Sequence, residues 1–529
     1  MKKRNVDSLF ANPVDEDELM NMLGNLNTSK SCGPYSIPSN LLKQHAVLFL
    51  KPLLVLLNTS LEEGVFPDFL KLAEVCPIFK KNDKNKCENY RPISLLSNIS
   101  KLYERMMHTR LYGFFEKFQL FYKHQFGFRK QHSTNHAILS IIEDIRNSLD
   151  KREFVCGVFI DLEKAFDTVN HKILLQKLEH YGVRGICNSW FNSYLSNRKQ
   201  KVKFKDKCSE YLDITCGVPQ GSILGPLLFL IYINDMNCAV TSSSVFHFAD
   251  DTYLKYSSSS EKNIRKNMNK DLDDLFEWLC ANRLSLNVSK TEFIIFKPPK
   301  KSLSGRITLA LNGTTLFESK KIKYLGLIVD DRLSWKFHIH ELSKKLSRII
   351  GVLCKMRKIK CDENTLQSIY YALFQSQLMY GIMAWGTAGK FLLEKIRLIQ
   401  KKAVRIISSA KYTAHTSEFF KKLNILKLDD LFKAQTASFM WDFDHGTLPE
   451  AFNSYFTKVS DVHQHNTRAS VNMLSHTVSL TNGVTHSSRM VKSFGVTIFN
   501  EIAEKMFYKN CNMKATFRKK YKLFLIEQY

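Results

Sequence analysis

Three acidic residues and one glycine-rich loop, spaced over residues 154–256, constrain the fold of this chain more than any other feature of its sequence. A continuous apolar run at residues 154–160 ends at Asp161. Short uninterrupted apolar runs are typical of buried strands, so this run predicts a strand that holds the Asp161 carboxylate at its end. The pattern of residues 162–169 indicates a helix directly after that strand.

The other two acids are adjacent. Asp250 and Asp251 lie between two arms of alternating apolar and polar residues in residues 245–256, which predicts a hairpin with both carboxylates at its tip. Side chains of neighbouring strand residues point to opposite faces, so a turn is needed to bring either one near Asp161. An isolated Asp-Asp pair is more often only a turn, and by itself this pair does not predict catalysis.

The glycine-rich loop lies between the acidic segments, 56 residues after Asp161 and 33 before Asp250. It occupies residues 217–229 and runs into an apolar helix, with Pro226 near enough to the helix start to be tolerated in the first turn. Carboxylate oxygens are the ligands that Mg²⁺ prefers, and two such ions about 3.5–4 Å apart can activate a hydroxyl and stabilise a leaving pyrophosphate. The order of acid, glycine loop and acid pair therefore favours nucleotidyl transfer.

Composition narrows the class of protein. The 529 residues are 44% apolar and 24% charged, which is typical of globular domains, and lysine plus arginine exceed the acids by 27. A surplus of this size indicates a polyanionic partner, either nucleic acid or an anionic membrane. No apolar run approaches the roughly 20 residues that span a bilayer, and no signal peptide is visible. The twelve scattered cysteines include no C-x-x-C pair, so we expect free thiols in an intracellular protein.

Two basic helices are predicted after residue 336. Apolar residues recur at three and four positions through residues 339–356 and again through residues 392–406, while lysines and arginines occupy the positions between them. Residues 341–410 contain 13 basic and 4 acidic side chains, a net charge of +9. One such helix is usually only a solvated face, but two of the same sign favour a surface that follows a nucleic-acid backbone.

Together these segments resemble a known enzyme family. Residues 159–171, 217–222 and 248–251 are similar to motifs A, B and C in the palm of reverse transcriptases, and most similar to those of jockey-type non-LTR retrotransposons. Further segments stand in the order of that family: residues 90–96, 125–129, 284–291 and 324–327, with weaker matches at 385–386 and 400–403. The resemblance therefore covers most of the chain.

The resemblance implies an α+β right-hand polymerase fold with fingers, an antiparallel palm sheet with helices, and a helical thumb. We expect an N-terminal extension at residues 1–60, fingers and palm at 61–335, the thumb at 336–410 and a C-terminal basic region of the same element family at 411–529. The implied activity is RNA-directed DNA polymerisation, in which dNTPs are added to a DNA primer 3′-hydroxyl on an RNA template. The implied cofactor is Mg²⁺, as two ions, with Mn²⁺ as a possible replacement, and the implied partners are template RNA, primer or target DNA and dNTPs, with no membrane.

The resemblance also assigns roles at the metal site. It implies that Asp161, Asp250 and Asp251 hold the metal ions, with the second acid of the pair often the less essential one in relatives. Phe166 stands where the family places a bulky residue under the sugar, where an aromatic ring would clash with a ribose 2′-hydroxyl and select dNTPs. Lys290 resembles a lysine proposed to protonate the leaving pyrophosphate.

Further residues are assigned to substrate binding in the same way. Gln220 and Gly221 would face the nascent base pair and the template. Lys80 and Arg91 resemble finger residues that grip the incoming triphosphate, a task suited to a point charge and a planar fork of donors. Lys81 could take the place of Lys80, and the alternative for both lysines is a solvated surface charge.

Three more polar residues, Asp167, Asp235 and His247, lie inside or near these motifs. Their chemistry would suit catalysis, but a polar side chain that is buried is usually held by structural hydrogen bonds. We therefore expect structural roles for them and leave them out of the catalytic set.

The sequence also departs from the family pattern. Tyr35 stands where relatives commonly have aspartate after Gly-Pro, and Gln131 where glycine often follows Gly-Phe-Arg. Both positions lie outside the metal site, so the departures concern the geometry of the fingers. Related elements carry an apurinic-type endonuclease ahead of the polymerase, and only about 80 residues precede the finger motifs here. We expect a fragment, a truncated copy or the product of a separate reading frame.

Two functions remain open from the sequence. The first is an active polymerase, and the second is a catalytically inactive remnant that still binds RNA. The intact acids, glycine loop and basic finger residues favour the first. An RNA-templated RNA polymerase is disfavoured by Phe166 and by the Ala-Asp-Asp sequence at residues 249–251. The expected location is a cytoplasmic ribonucleoprotein and the nucleus.

Overall fold

The computed structural model describes residues 5–29, 33–299, 301–457, 474, 489–504, 511 and 513–529. It is a mixed structure of helices and sheets, as expected. The strands are β1 (Leu72–Phe79), β2 (Tyr90–Leu95), β3 (Phe154–Ile160), β4 (Arg198–Phe204), β5 (Lys207–Cys208), β6 (Leu212–Ile214), β7 (Ser244–Phe248), β8 (Asp251–Ser258), β9 (Glu292–Phe296), β10 (Ala310–Leu311), β11 (Thr314–Thr315), β12 (Phe317–Glu318), β13 (Lys321–Tyr324) and β14 (Leu327–Asp330).

A five-stranded sheet in the order β12-β9-β3-β8-β7 carries the acidic segments. All neighbours in it are antiparallel except β9 and β12. The apolar run at Phe154–Ile160 forms the central strand β3, as predicted, because its side chains are covered on both faces. The predicted hairpin is also confirmed, since β7 and β8 pair up to Phe248 and Asp251.

A second sheet, in the order β2-β1-β4-β5 with β6 beside β4, lies next to the glycine-rich loop. Strands β1 and β2 form an antiparallel hairpin in which Phe79 pairs with Tyr90, while β1 and β4 run parallel. Two further pairs, β10 with β11 and β13 with β14, are antiparallel ribbons. The backbone N–H of Ser94 in β2 donates to the carbonyl of Gln220, which joins this sheet to the glycine-rich loop.

Helices surround both sheets and continue to the C-terminus. They are α1 (Glu16–Gly24), α2 (Ser39–Gln44), α3 (Ala46–Glu63), α4 (Asn98–Lys117), α5 (Thr134–Asp150), α6 (His171–Tyr181), α7 (Ile186–Leu195), α8 (Leu224–Ile233), α9 (Glu261–Ala281), α10 (Lys336–Lys358), α11 (Glu363–Ile369), α12 (Ser376–Met379), α13 (Ile382–Trp385), α14 (Lys390–Ile407), α15 (Ser417–Lys422), α16 (Leu428–Asp444), α17 (Val491–Glu504) and α18 (Lys514–Glu527), with a π-helical turn at Tyr370–Gln375. No helix of the described residues is long and apolar enough to cross a membrane. The described cysteines are all free thiols.

The two basic helices predicted after residue 336 are α10 and α14, which pack against each other. Their apolar stripes enter one hydrophobic core that also contains side chains of α5, α16, α17 and α18. Arg146 of α5, almost fully buried, donates to the carbonyls of Arg489 and Ala384. Glu143, one turn away, accepts from the Val491 N–H at 3.0 Å. The described C-terminal helices therefore belong to the same packed body as α10 and α14.

The structure corrects one local prediction. Residues 162–169 form turns instead of a helix, because their carbonyls bond elsewhere: Phe166 accepts from the Val218 N–H and Val169 from the Gly217 N–H. The prediction was wrong because local apolar spacing does not show where backbone groups find their hydrogen-bond partners.

The two departures from the family pattern share a backbone conformation. Tyr35 has φ +49° and Gln131 has φ +60°, both in the left-handed region. Glycine reaches this region without steric cost, and aspartate tolerates it better than most residues. The residues that relatives place at these two positions therefore suit the backbone seen here better than tyrosine and glutamine do.

His338 of α10 makes the stability of this helical region sensitive to acid. It is 9% exposed, and its ring lies near Trp335 and Trp385. Burial, aided by the charge of Lys345, lowers its pKa from 6.5 to about 4. The folded protein then binds this proton less readily than the unfolded chain, so stability falls as the pH drops from 6.5 towards 4. We expect a loss of about 1 kcal/mol from this residue between pH 7 and pH 5.5.

The measurement is urea unfolding at both pH values for the wild type and for His338→Gln. The variant should lose less stability on acidification than the wild type, by about 1 kcal/mol. His340→Gln is the matched control, because His340 is exposed on the same helix. An acid-induced loss that is equal in the wild type and in His338→Gln would contradict the prediction.

Candidate active site

The antiparallel register brings the three acids to one end of the central sheet. Ile160 of β3 pairs with Thr252 of β8, so the next positions in register are Asp161 and Asp251. Asp250 lies in the two-residue turn that joins β7 and β8, directly after Ala249, which has φ +56°. Acids that are 89 residues apart in the sequence therefore become neighbours at one edge.

Electrostatics at this edge favours a bound cation. Burial raises the pKa of Asp250, and the charge of Asp161 adds to this effect. Burial raises the pKa of Asp251 to about 6, with the charges of Asp250 and Asp161 acting in the same direction. When neighbouring carboxyl groups have raised pKa values, a positive charge between them stabilises their ionised forms. Their hard oxygen atoms fit a divalent ion such as Mg²⁺.

Lys290 already supplies part of this positive charge. Its Nζ lies 3.1 Å from Oδ2 of Asp161, in an ion pair in which the lysine side chain is 64% exposed. The Asn287 N–H donates to the Asp161 carbonyl at 2.9 Å, and this bond places the turn Val288–Lys290 beside the acid. Among the described residues, no group of three His, Cys, Asp or Glu side chains is arranged closely enough to hold a metal ion as it stands. An exposed ion pair is weak and can open.

Phe166 lies in the turn that follows Asp161. Its ring stacks on Phe229 of α8 at 4.5 Å between centroids, and Phe128 meets it edge-on at 6.2 Å. The ring is half-buried, so one part packs on the core while another part is accessible to solvent. The core packing of Phe166 and a contact with a bound sugar are therefore compatible.

The glycine-rich loop lies between this turn and β2. Gln220 donates from its amide to Oδ1 of Asp167 at 2.9 Å, and its carbonyl accepts from the Ser94 N–H at 2.7 Å. Gly221 has φ +122°, and a Cβ atom there would lie 2.7 Å from the Ser94 carbonyl oxygen. Only glycine fits this close approach without displacing β2.

Lys80 and Arg91 stand at the loop end of the β1–β2 hairpin. The Lys80 N–H donates to the Asn89 carbonyl at 2.8 Å, and Arg91 pairs with Ile78. Both side chains are exposed, and their charges act to lower the pKa of Asp250 against the effect of burial.

The three polar residues left out of the catalytic set have structural partners. Asp167 accepts from Gln220, and Asp235 forms a buried ion pair with Lys177 at 2.6 Å. His247 is buried and bonds through Nδ1 to the Thr252 hydroxyl at 3.0 Å, and burial lowers its pKa to about 3. These contacts confirm the expectation of structural hydrogen bonding.

Gln125 is a residue whose importance the sequence did not reveal. It entered only as the first residue of the segment 125–129, yet it is buried and touches the turn that carries Asp250. The signal that could have found it is Gly127 in the same segment, because a glycine beside a polar residue often marks a close backbone approach.

Comparison with known proteins agrees with this geometry. Residues 78–329 match the family described as "Reverse transcriptase (RNA-dependent DNA polymerase)". The chain is 29% identical over 453 residues to "Probable RNA-directed DNA polymerase from transposon BS" of Drosophila melanogaster. The aligned region covers 82% of this chain and 49% of that protein. It is also 29% identical over 438 residues to "RNA-directed DNA polymerase from mobile element jockey" of Drosophila funebris. This alignment covers 80% of this chain and 47% of that protein.

A more distant relative extends the same relationship. The polyprotein from type-1 retrotransposable element R1 of Bradysia coprophila is 26% identical over 394 residues, which covers 73% of this chain and 38% of that protein. The chain thus spans about half the length of the first curated relatives that it matches. Residues 78–329 are therefore similar to reverse transcriptases, and the chain is similar over most of its length to the RNA-directed DNA polymerases of these mobile elements.

Proposed function

We propose that this chain is an RNA-directed DNA polymerase that adds dNTPs to a DNA primer 3′-hydroxyl on an RNA template. The observation that carries the proposal is the convergence of Asp161, Asp250 and Asp251 at one edge of the central sheet, with the glycine-rich loop and the basic finger hairpin beside it. The alternative is an inactive remnant that binds RNA. The unbroken set of acids and their neighbours supports the active enzyme.

The three acids are proposed to hold two Mg²⁺ ions, with Mn²⁺ as a substitute. When bound, such ions activate the primer hydroxyl and stabilise the pyrophosphate oxygen that leaves. The raised pKa values of Asp250 and Asp251 support this assignment, since a bound cation favours the ionised carboxylates. Lys290 would leave Asp161 when the metal site fills, which frees its ammonium group to protonate the pyrophosphate.

Substrate selection is assigned to three groups around the acids. Lys80 and Arg91 approach the acid pair from the finger hairpin and suit the triphosphate. The half-buried ring of Phe166 suits the floor under the sugar, where it would exclude a 2′-hydroxyl. Gln220 and Gly221, held against β2, suit the nascent base pair and the template strand.

The right-hand layout is proposed on the same basis. The sheet β2-β1-β4-β5 would belong to the fingers, the sheet that carries the acids to the palm, and helices α10–α14 to the thumb. The division at residues 1–60, 61–335, 336–410 and 411–529 is kept as part of this proposal. The C-terminal region would support the thumb, because α16 packs on α12, α13 and α14 as well as on α17 and α18.

The template–primer duplex is proposed to lie along the exposed basic residues of α10. Lys345, Arg348, Lys355 and Lys358 are exposed on that helix. In α14 part of the positive charge is already paired within the protein, because Arg397 forms ion pairs with Asp429 at 2.7 Å and with Glu394 at 3.1 Å. Binding through such lysines and arginines releases counterions, so affinity for RNA should fall steeply with salt.

The direct test is primer extension on a defined RNA template with dNTPs and Mg²⁺, with a parallel reaction that contains rNTPs. Extension with dNTPs, but not with rNTPs, is the result expected for the polymerase. No extension together with tight, salt-sensitive RNA binding would favour the inactive remnant. Extension with rNTPs alone would indicate an RNA polymerase.

Lys80→Ala is expected to raise the KM for dNTPs about tenfold, because a charge-assisted contact with the triphosphate is worth roughly 1.5–3 kcal/mol. The value of kcat should change less, since the contact is made in the bound ground state as well. Steady-state extension over a range of dNTP concentrations measures both. Lys81→Ala is the matched control, being the adjacent exposed lysine. A larger KM effect at Lys81 would transfer the assignment to that residue.

A further inference from the structure

We propose that Gln125 is a positioning residue that sets the turn carrying Asp250, and that metal binding depends on it. This inference rests on the proposed function, because it concerns the same acids. Gln125 lies 125 residues before Asp250 in the sequence. It is not proposed as a metal ligand. It acts on the metal site through the backbone of the β7–β8 turn.

The side-chain oxygen of Gln125 joins two backbone segments. Its Oε1 accepts from the Ala249 N–H at 3.0 Å and from the Gly127 N–H at 2.9 Å. The residue is 2% exposed, so water does not readily replace either bond. A buried backbone N–H that loses its acceptor is costly, and the Ala249 N–H is the donor immediately before Asp250.

The neighbouring residues of the segment run parallel to β7 and form backbone hydrogen bonds with it at His247. The Phe126 N–H donates to the His247 carbonyl at 2.9 Å, and the His247 N–H donates to the His124 carbonyl at 2.9 Å. At Gly127 the two backbones approach so closely that a Cβ atom would lie 2.3 Å from the Ala249 nitrogen. Residues 124–127 thus fix both the position and the spacing of the turn.

The turn needs such support because Ala249 is strained. It has φ +56°, a left-handed conformation that is costly for a residue other than glycine. The surroundings must over-determine a conformation of this kind for it to persist. The bond from Gln125 stabilises it directly. Without that bond the turn can relax, and the carboxylate of Asp250 then moves relative to Asp161 and Asp251.

The test compares Gln125→Met with Gln400→Met in the full chain. Methionine has a similar length but offers no comparable acceptor. Gln400 is a matched control, since it is 1% exposed, donates to Tyr370 and to the Leu426 carbonyl, and lies far along the chain in α14. Mn²⁺ binding is measured by electron paramagnetic resonance on the chain with an RNA template, a dideoxy-terminated DNA primer and the next dNTP. Primer extension is measured over a range of Mg²⁺ concentrations.

We expect Gln125→Met to weaken Mn²⁺ binding about tenfold, as is typical when a residue that orients a metal ligand is lost. Extension at low Mg²⁺ should fall by a similar factor and recover in part at high Mg²⁺. The affinity for the template–primer should stay unchanged. Gln400→Met should leave both Mn²⁺ binding and the Mg²⁺ dependence of extension as in the wild type.

Unchanged Mn²⁺ affinity and Mg²⁺ dependence in Gln125→Met would overturn the inference while the proposed function stands. A wild-type chain that extends no primer would instead overturn the proposed function, whatever the variants do. Circular dichroism shows whether Gln125→Met is folded. If it is not, Gln125→Asn, which keeps an amide but places it one methylene short, carries the same expectation and the same contradicting result.

Discussion

Asp250→Asn is expected to slow RNA-templated DNA synthesis about a thousandfold or more. The substitution keeps the shape of the side chain but removes the negative charge, and metal-assisted stabilisation of the transition state is worth several kcal/mol. Asp250 is the acid of the hairpin turn and lies among the charges of Asp161, Arg91 and Lys80. Single-turnover primer extension with saturating dNTP and Mg²⁺ measures the loss. RNA binding should be retained.

Two further variants make this prediction specific. Asp206→Asn changes an exposed aspartate in the turn between β4 and β5, far from the acids in sequence, and should leave the rate unchanged. Asp251→Asn should be slower than the wild type but faster than Asp250→Asn, since the resemblance to reverse transcriptases implies that the second acid of the pair is often the less essential one. A rate for Asp250→Asn within tenfold of the wild type would contradict the assignment of the metal site.

Phe166→Ala is expected to raise the use of rNTPs relative to dNTPs about a hundredfold, as the ratio of the two kcat/KM values. The ring of Phe166 stacks on Phe229 in a close-packed core, so in the proposed site it would not move aside and a ribose 2′-hydroxyl above it would clash. Alanine removes that clash, and a steric difference of this kind is worth about 1–3 kcal/mol in discrimination. Most of the change should be a gain with rNTPs.

The matched control for this variant is Phe204→Ala, which truncates an exposed phenylalanine on β4. It should leave the ratio of rNTP to dNTP use as in the wild type. Phe166→Ala also opens a space beside Phe229, so its thermal stability should be measured alongside its kinetics. An unchanged selectivity in a folded, active Phe166→Ala would show that Phe166 serves only the core.

Strands and helices with strong local patterns were predictable. The strand Phe154–Ile160 and the hairpin around Asp250 followed from apolar runs and alternation, because burial on one or both faces leaves that pattern in the sequence. The turn at residues 162–169 could not be predicted, because its conformation depends on hydrogen bonds to the glycine-rich loop about 50 residues later.

The candidate site likewise contains residues that the sequence singled out and a residue that it did not. Asp161, Asp250 and Asp251 were singled out by residue type and by their order around the glycine-rich loop, and the resemblance to reverse transcriptases implied their role as metal ligands. Their assignment as metal ligands is still a prediction. Gln125 was overlooked because Gly127 in the same segment indicates only a close backbone approach and does not show that the amide of Gln125 reaches a turn 124 positions away.

By itself, the sequence determined the three acids, their spacing, the apolar runs that place them at strand ends, and the excess of positive charge. These features are local or additive, so residue type and order suffice to define them. Only the tertiary structure decided that Lys290 pairs with Asp161 across 129 positions, that Gln125 holds the turn before Asp250, and that Arg397 of the basic helix α14 is paired internally. Such contacts depend on distance and direction in space, which a linear pattern of residues does not encode.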